Sequence, residues 1–128
     1  MIIPQAVKEM MAGDQVVLVA TTDKKGTPHM AAAKGLTVLG DERVAFENWF
    51  CFRTLGNIHE NPEIALSLLK GERGFQLIGV VERSLATEVL DGYSPEVDRQ
   101  SKFPQTKYRL LIRVNRVIEL STGPHSDE

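Results

Sequence analysis

The stretch VVLVATTDKKGTPHMAAA, residues 16–33, decides the fold that this sequence predicts. Its first part, residues 16–22, is rich in β-branched side chains and is typical of a buried strand. Residues 23–28 combine Asp, Gly and Pro, which favour a tight turn. The chain therefore returns beside its first strand, and we expect an antiparallel pair at this point.

Further strand-like segments follow at short intervals. Residues 29–39 and 43–50 are two of them, and the Gly40-Asp41 turn separates them. Gly79 lies inside another such segment and predicts a bend or bulge. The remaining segments are residues 64–69, 75–84 and 108–120. Strands at this spacing predict a mainly β chain with about six strands, arranged as an antiparallel barrel or sandwich.

Short helices are predicted between the strands. Their composition and flanking prolines place them at residues 6–12, 55–61 and 94–103. The chain contains no internal repeat and no linker, so residues 1–128 are expected to form a single domain. Within it, we expect residues 119–128 to be a disordered tail.

The composition argues against several classes of protein. The 128 residues carry a net charge of −2, and Lys and Arg are scattered, so we expect neither a nucleic acid nor a membrane surface as a partner. No segment reaches the roughly 18 apolar residues that a membrane span needs. We also see no signal peptide. With Cys51 as the single cysteine, no intrachain disulfide can form, and we expect a cytoplasmic protein.

The common catalytic and metal-binding patterns do not occur in this sequence. It has no phosphate-binding glycine motif and no nucleophile motif of the G-x-S-x-G type. His29, His59 and His125 fall on different predicted elements without the spacing of metal ligands, so no metal site is expected. Cys51 between two phenylalanines indicates a small apolar filler. The residues by themselves leave any catalytic group unknown.

Arg53 and Thr54 lie directly before the predicted helix at 55–61 and form a candidate anion site. An arginine can hold a phosphate through two parallel N–H groups, and a helix start offers free backbone N–H groups. The alternative is a capped helix beside a solvated arginine. The residue types leave both explanations open.

An aromatic-rich strand leads into this candidate site. VAFENWFCF, residues 44–52, contains one Trp and three Phe, whereas aromatic residues make up 6% of the chain. A flat ring with a phosphate tail would suit such a strand. The alternative is core packing by Phe46 and Phe50, which alternate onto one face of a strand.

The order of these segments resembles the pyridoxamine 5′-phosphate oxidase-like family of FMN-binding split β-barrels, and is most similar to its small FMN-binding members. The resemblance covers residues 5–120. Its most specific parts are the GTPH turn at 26–29 and RTLGNIHENPEIAL at 53–66. It implies an antiparallel split β-barrel of Greek-key type.

The resemblance implies FMN as the cofactor, with its phosphate held by Arg53 and Thr54. It implies that the second strand lies along the flavin ring, mainly through backbone groups of Met30, Ala31, Ala32, Ala33 and Lys34. It also implies that the end of the next strand flanks the ring and the ribityl chain with Phe46, Glu47, Asn48 and Trp49. If Lys34 points at the ring, its charge favours the anionic reduced flavin; otherwise it lies on the solvent face.

The function that the resemblance implies is an FMN-dependent oxidoreductase that transfers hydride or electrons, such as a flavin or quinone reductase with a nicotinamide donor. A non-enzymatic FMN carrier, or an electron-transfer protein with an unknown redox partner, is one alternative. The same barrel binding haem or a deazaflavin is another. The resemblance further implies a homodimer with FMN at the subunit interface.

Overall fold

Seven antiparallel strands form one sheet in the computed structural model, which describes residues 2–49, 51–89 and 106–124. The helices of this part are α1 (Gln5–Met11) and α2 (Phe52–Glu60). The strands are β1 (Val17–Thr22), β2 (Pro28–Ala33), β3 (Leu36–Leu39), β4 (Arg43–Trp49), β5 (Glu63–Lys70), β6 (Arg73–Val89) and β7 (Thr106–Ser121). The prediction of a mainly antiparallel β chain is confirmed.

The sheet has the strand order β2-β1-β5-β6-β7-β4-β3. Its two edge strands, β2 and β3, are consecutive in the chain and are joined by Lys34 and Gly35 alone. Because so short a link joins the two edge strands, the sheet must curl to bring its edges near each other. No backbone hydrogen bonds pair β2 with β3 in the described sheet, so the barrel is not closed but split. Strands β5, β6 and β7 lie side by side in chain order, and β4 returns beside β7 in a Greek-key arrangement.

The strand count exceeds the predicted number by one. The expected single strand at 29–39 is divided into β2 and β3 at Gly35, whose φ of 84° lies in the left-handed region. An L-amino acid with a side chain rarely adopts that conformation, so a glycine here allows the chain to leave one edge and begin the other. The single strand was therefore a wrong prediction.

Gly79 produces the irregularity that the sequence predicted. The register between β6 and β7 shifts between Ile78 and Gly79. A Cβ atom at Gly79 would overlap the backbone carbonyl oxygen of Arg113 on β7. The missing side chain therefore permits the close approach of the two strands at this bulge.

The core lies inside the curled sheet and follows the period of two that strands impose. Val17 and Val19 of β1 and Leu66 and Leu68 of β5 are fully buried. Helix α1 begins one residue before the predicted range and closes one end of the core with Val7 and Met11. Neither α1 nor α2 is long and apolar enough to cross a bilayer, and they are the helices of the described chain.

The end of the chain differs from the expectation of a disordered tail at 119–128. Residues 119–121 belong to β7, where Glu119 pairs with Phe75 and Ser121 with Arg73 of β6. The Thr122 N–H continues this contact by donating to the carbonyl of Glu72, at 3.1 Å. The expectation was wrong for these residues because β6 supplies a pairing partner. Residues 125–128 and the predicted helix at 94–103 lie outside the described residues.

Candidate functional site

Helix α2 places Arg53 and Thr54 in its first turn. The predicted helix began after these residues, but α2 begins at Phe52, so that prediction of the start was wrong. Cys51 is the extended residue before the helix and makes no side-chain cap. Its carbonyl accepts the N–H of Leu55 at 3.4 Å, which begins the helical bonding without a Ser, Thr, Asp or Asn at the cap. The alternative explanation of Thr54 as the cap is therefore excluded.

Thr54 has a buried hydroxyl without a partner. The residue is 0% exposed, and its Oγ1 makes no hydrogen bond with any residue that the structure describes. The N–H groups of Arg53 and Thr54 also have no intrahelical acceptor, because they belong to the first turn. Neither forms a backbone hydrogen bond elsewhere in the described chain. The start of α2 thus combines unused hydrogen-bond donors with the positive end of the helix dipole, a combination that suits an anion.

Arg53 lies on the outward face of the same turn. It is exposed and makes no ion pair with any residue in the described ranges. It borders a surface groove of about 330 Å³, lined by Phe52, Arg53, Gly56, Asn57 and Glu60. Thr54 faces the barrel, so the two predicted residues approach the helix start from its outer and inner sides.

Two asparagines fix α2 to the sheet. The Asn57 side-chain amide donates to the Thr21 hydroxyl at 3.1 Å, and both residues are buried. The Asn61 amide donates to the Thr22 hydroxyl at 2.8 Å. These contacts hold the helix against the end of β1, the strand that pairs with β2. This role was not predicted, although Thr21 and Thr22 at the end of an apolar strand are a signal visible in the sequence.

Strand β2 carries the residues that were expected along a flavin ring. As an edge strand it pairs only with β1, so half of its backbone N–H and C=O groups point away from the sheet. Ala31 and Ala33 are half-buried, whereas Ala32 and Met30 are exposed, Met30 at 63%. The small alanine side chains leave the free edge of the backbone accessible to a ligand.

Lys34 follows β2 and points to another part of the surface. Its Nζ lies 3.1 Å from Asp14 Oδ2, and both side chains are largely exposed. An exposed ion pair of this kind contributes little stability. Lys34 is therefore available to change partners.

The predicted aromatic residues of β4 are used in the core. Phe46 and Trp49 are each 1% exposed, and their ring centroids lie 4.8 Å apart. Both face inward although they are three residues apart, because the register with β7 shifts between them. Core packing by Phe46 was the alternative left open by the sequence. Phe50, the other residue of that alternative, lies outside the described residues.

The polar residues of β4 face outward. The Arg109 guanidinium donates to Glu47 Oε2 at 2.8 Å, and Asn48 is exposed. The Trp49 indole N–H donates to the carbonyl of Cys51 at 2.9 Å, which links the end of β4 to the start of α2. Of the four β4 residues expected near a ligand, Glu47 and Asn48 thus have side chains outside the core.

Asp23 and Arg43 have displaced pKa values, and both residues lie away from the start of α2. Hydrogen bonds led by the Thr27 backbone N–H lower the pKa of Asp23 in the β1–β2 turn. On the outer face, the bond to Glu82 raises the pKa of Arg43. Arg113 also lies beside this carboxylate, at 3.7 Å. These groups hold a turn and a pair of strands in place rather than forming an acid–base pair in the groove.

A second cavity, of about 340 Å³, lies on the outer face of β1, β5 and β6. Its apolar floor includes Ala20, Ala65 and Ile78, and Asn61 lies at its rim. It therefore adjoins the residue that directly follows α2, whereas Arg53 lies at the opposite end of that helix. This cavity and the unused donors at the start of α2 are thus at different places.

Family and structure comparisons bear on this arrangement. Residues 3–118 match the family model of pyridoxamine 5′-phosphate oxidase. An uncharacterised protein of Methanocaldococcus jannaschii is 32% identical over 116 residues, which cover 87% of this chain and 76% of that protein.

Solved structures share the fold at lower identity. HupZ from Group A Streptococcus has a TM-score of 0.71 at 20% identity, covering 94% of this chain and 96% of its own. An F420 reductase has a TM-score of 0.67 at 19% identity, with coverages of 90% and 98%. An FMN-binding protein from Syntrophomonas wolfei has 0.67 at 15%, with coverages of 91% and 85%. HutZ, a heme storage protein from Vibrio cholerae, has 0.57 at 16%, with coverages of 92% and 94%.

The split barrel, the match over residues 3–118 and the Methanocaldococcus relative agree with the resemblance found in the sequence. The chain belongs to the pyridoxamine 5′-phosphate oxidase family.

Proposed function

We propose that this chain binds FMN non-covalently and works as an oxidoreductase that transfers hydride or electrons. The observation that carries the proposal is the buried hydroxyl of Thr54 at an uncapped helix start, beside Arg53. Within the described residues the hydroxyl has no hydrogen-bond partner and Arg53 has no ion pair. A phosphate monoester carries close to two negative charges and strong acceptor oxygens at neutral pH. Such a group would use the donors that are left free at the start of α2.

The residues divide the binding of FMN between them. Arg53 binds the phosphate from the outward side of α2, and the N–H groups of Arg53 and Thr54 bind it along the helix axis. The Thr54 hydroxyl lies on the inner side of the same turn and is proposed as a further donor. When bound, FMN supplies the redox chemistry, while the protein orients it and restricts water.

The edge of β2 suits the flavin ring for reasons of shape and hydrogen bonding. The ring carries donors and acceptors along one edge, and the outward-pointing backbone groups, which belong to alternate residues among Met30, Ala31, Ala32 and Ala33, offer complementary ones. Lys34 reaches the ring if it leaves Asp14, and its charge then favours the anionic reduced state. The outward β4 residues Glu47 and Asn48 are the polar candidates near the ribityl chain.

We further propose a homodimer with FMN at the subunit interface. The groove on α2 is open at the surface, and Met30 on the edge strand β2 is an exposed apolar side chain. A second chain would cover both and exclude water from the ring. The electron donor is proposed to be a nicotinamide cofactor or a redox protein.

Other ligands of the same barrel are the alternatives. The F420 reductase and HutZ share the fold with this chain, so a deazaflavin and haem are the ligands to compare with FMN. An FMN carrier or electron-transfer protein would use the same FMN site as the enzyme, but it would not catalyse the oxidation of a nicotinamide substrate. Oxidation of NADH or NADPH with bleaching of the flavin would support the enzyme, whereas rapid exchange with a redox protein alone would support the carrier.

The test is FMN binding by the purified protein, followed by visible absorbance and flavin fluorescence. We expect quenching of FMN, and Arg53→Ala to weaken FMN binding by about tenfold or more, as loss of a charge-assisted bond to phosphate does. Riboflavin lacks the phosphate, so its affinity should change less than about twofold. Arg83→Ala, which removes another exposed arginine, is the matched control.

Equal losses of FMN and riboflavin affinity in Arg53→Ala would contradict the phosphate site. A protein that gives no flavin spectrum after reconstitution, but a haem or deazaflavin spectrum, would overturn FMN as the ligand.

A further inference from the structure

The groove on α2 has opposite charges at its two ends. Arg53 and Glu60 are seven residues apart, which is two helical turns, so both project into the same outward groove. Gly56 lies between them, and open space surrounds the position where its Cβ would be. The floor of the groove between the charges is therefore low and unobstructed.

The helix dipole strengthens this separation of charge. Arg53 lies at the positive N-terminal end of α2, and Glu60 is the last helical residue, at the negative end. At 1.5 Å per residue the charges are about 10 Å apart along the axis. Glu60 is exposed and makes no ion pair with the described part of the chain. His59, the residue before it, is the basic residue of the last turn.

We propose that Glu60 is a specificity-determining residue that restricts the site to flavins with a single phosphate. This rests on the proposed function, because it assumes that the phosphate of FMN binds at Arg53. A flavin dinucleotide continues from that phosphate through a second phosphate, and the groove offers it the path along α2. The second phosphate, joined to the first through one oxygen, then lies closer to Glu60 and to the negative end of the helix, and its charge is repelled from that side. FMN ends before this point and avoids the repulsion.

The experiment compares the dissociation constants of FMN and FAD by fluorescence quenching. We expect Glu60→Gln to strengthen FAD binding by about threefold to tenfold, the effect of one charge near a helix end, and to change FMN binding less than about twofold. Glu63→Gln is the matched control, because Glu63 is an exposed glutamate three residues on that does not line the groove. It should leave both affinities unchanged.

Salt supplies a second measurement that needs no variant. The preference of the unchanged protein for FMN over FAD should fall with rising salt, because the distance over which charges interact, the Debye length, shortens to about 3 Å at 1 M salt. The preference of Glu60→Gln should be lower at low salt and change less.

The outcomes separate this proposal from the one on which it rests. If the unchanged protein binds no flavin, both are wrong. If it binds FMN and Glu60→Gln leaves the ratio of FAD to FMN affinity unchanged, the phosphate site stands and the role of Glu60 is overturned. If Glu60→Gln lowers the content of folded protein in circular dichroism, the salt dependence of the unchanged protein decides, and a constant FMN preference overturns the proposal.

Discussion

At the scale of single residues, the Thr54 hydroxyl is expected to lower the free energy of unfolding of the ligand-free protein and to strengthen ligand binding. A buried hydroxyl without a partner costs about 1–3 kcal/mol. Thr54→Val keeps the shape and removes the hydroxyl, so we expect the ligand-free protein to gain about 1 kcal/mol in its free energy of unfolding. The same variant should bind FMN more weakly. Urea unfolding and FMN titration measure the two effects.

Thr21→Val is the matched control for that substitution. The Thr21 hydroxyl accepts the buried amide of Asn57, so its removal leaves a buried donor without a partner. We expect this change to destabilise the protein by about 1–3 kcal/mol. A loss of stability in Thr54→Val as large as that in Thr21→Val would show that the Thr54 hydroxyl already has a partner in the free protein.

At the scale of elements, two glycines with different surroundings provide opposite predictions. Gly79→Ala should destabilise the protein by about 1–3 kcal/mol, because its Cβ would overlap a carbonyl of β7 and the strands must separate. Gly56→Ala should stabilise it by up to about 1 kcal/mol, because alanine favours a helix interior and the added Cβ lies in open space. Thermal unfolding distinguishes them. A destabilising Gly56→Ala would mean that α2 is not a regular helix at this residue.

The elements also show which parts of the fold a sequence can predict. Gly79 inside an apolar run correctly predicted a bulge. The tight turn between β1 and β2 was also correctly predicted, from the turn-forming residues at 23–28. Gly35 also lies inside a predicted strand, but it divides two strands instead of bending one. Nothing local distinguishes these outcomes, because the difference depends on which strands pair with the flanking residues. The helix start at Phe52 was missed for a related reason, since no capping residue precedes it.

At the scale of the whole molecule, the strand order could not be deduced from composition or spacing. Val19 pairs with Leu66, and Phe46 pairs with Leu110. These residues are far apart in the chain, so no short turn between them predicts the pairing. The resemblance to a family supplied the split barrel, and the sheet confirms it. The candidate site was predicted in part: Arg53 and Thr54 do lie at a helix start, whereas Asn57 and Asn61, which hold that helix in place, were not identified.

The proposed assembly has a direct test at this scale. Light scattering should give about twice the chain mass of 14.2 kDa, and titration should give one FMN per chain. Substitution of the exposed Met30 by Lys places a charge on the edge strand and should weaken the dimer and FMN binding together. A monomer that binds FMN as tightly as the unchanged protein would contradict a site shared between subunits.

The two-residue link between the edges of the sheet has a consequence for ligand binding. Three Cα–Cα steps separate Ala33 from Leu36, so the ends of β2 and β3 cannot lie more than about 11 Å apart. This bound holds with or without a ligand, because it is covalent. The link therefore limits how far these two strand ends can separate, so a flat ring, if it binds along β2 as proposed, would not have to draw them together from a larger distance.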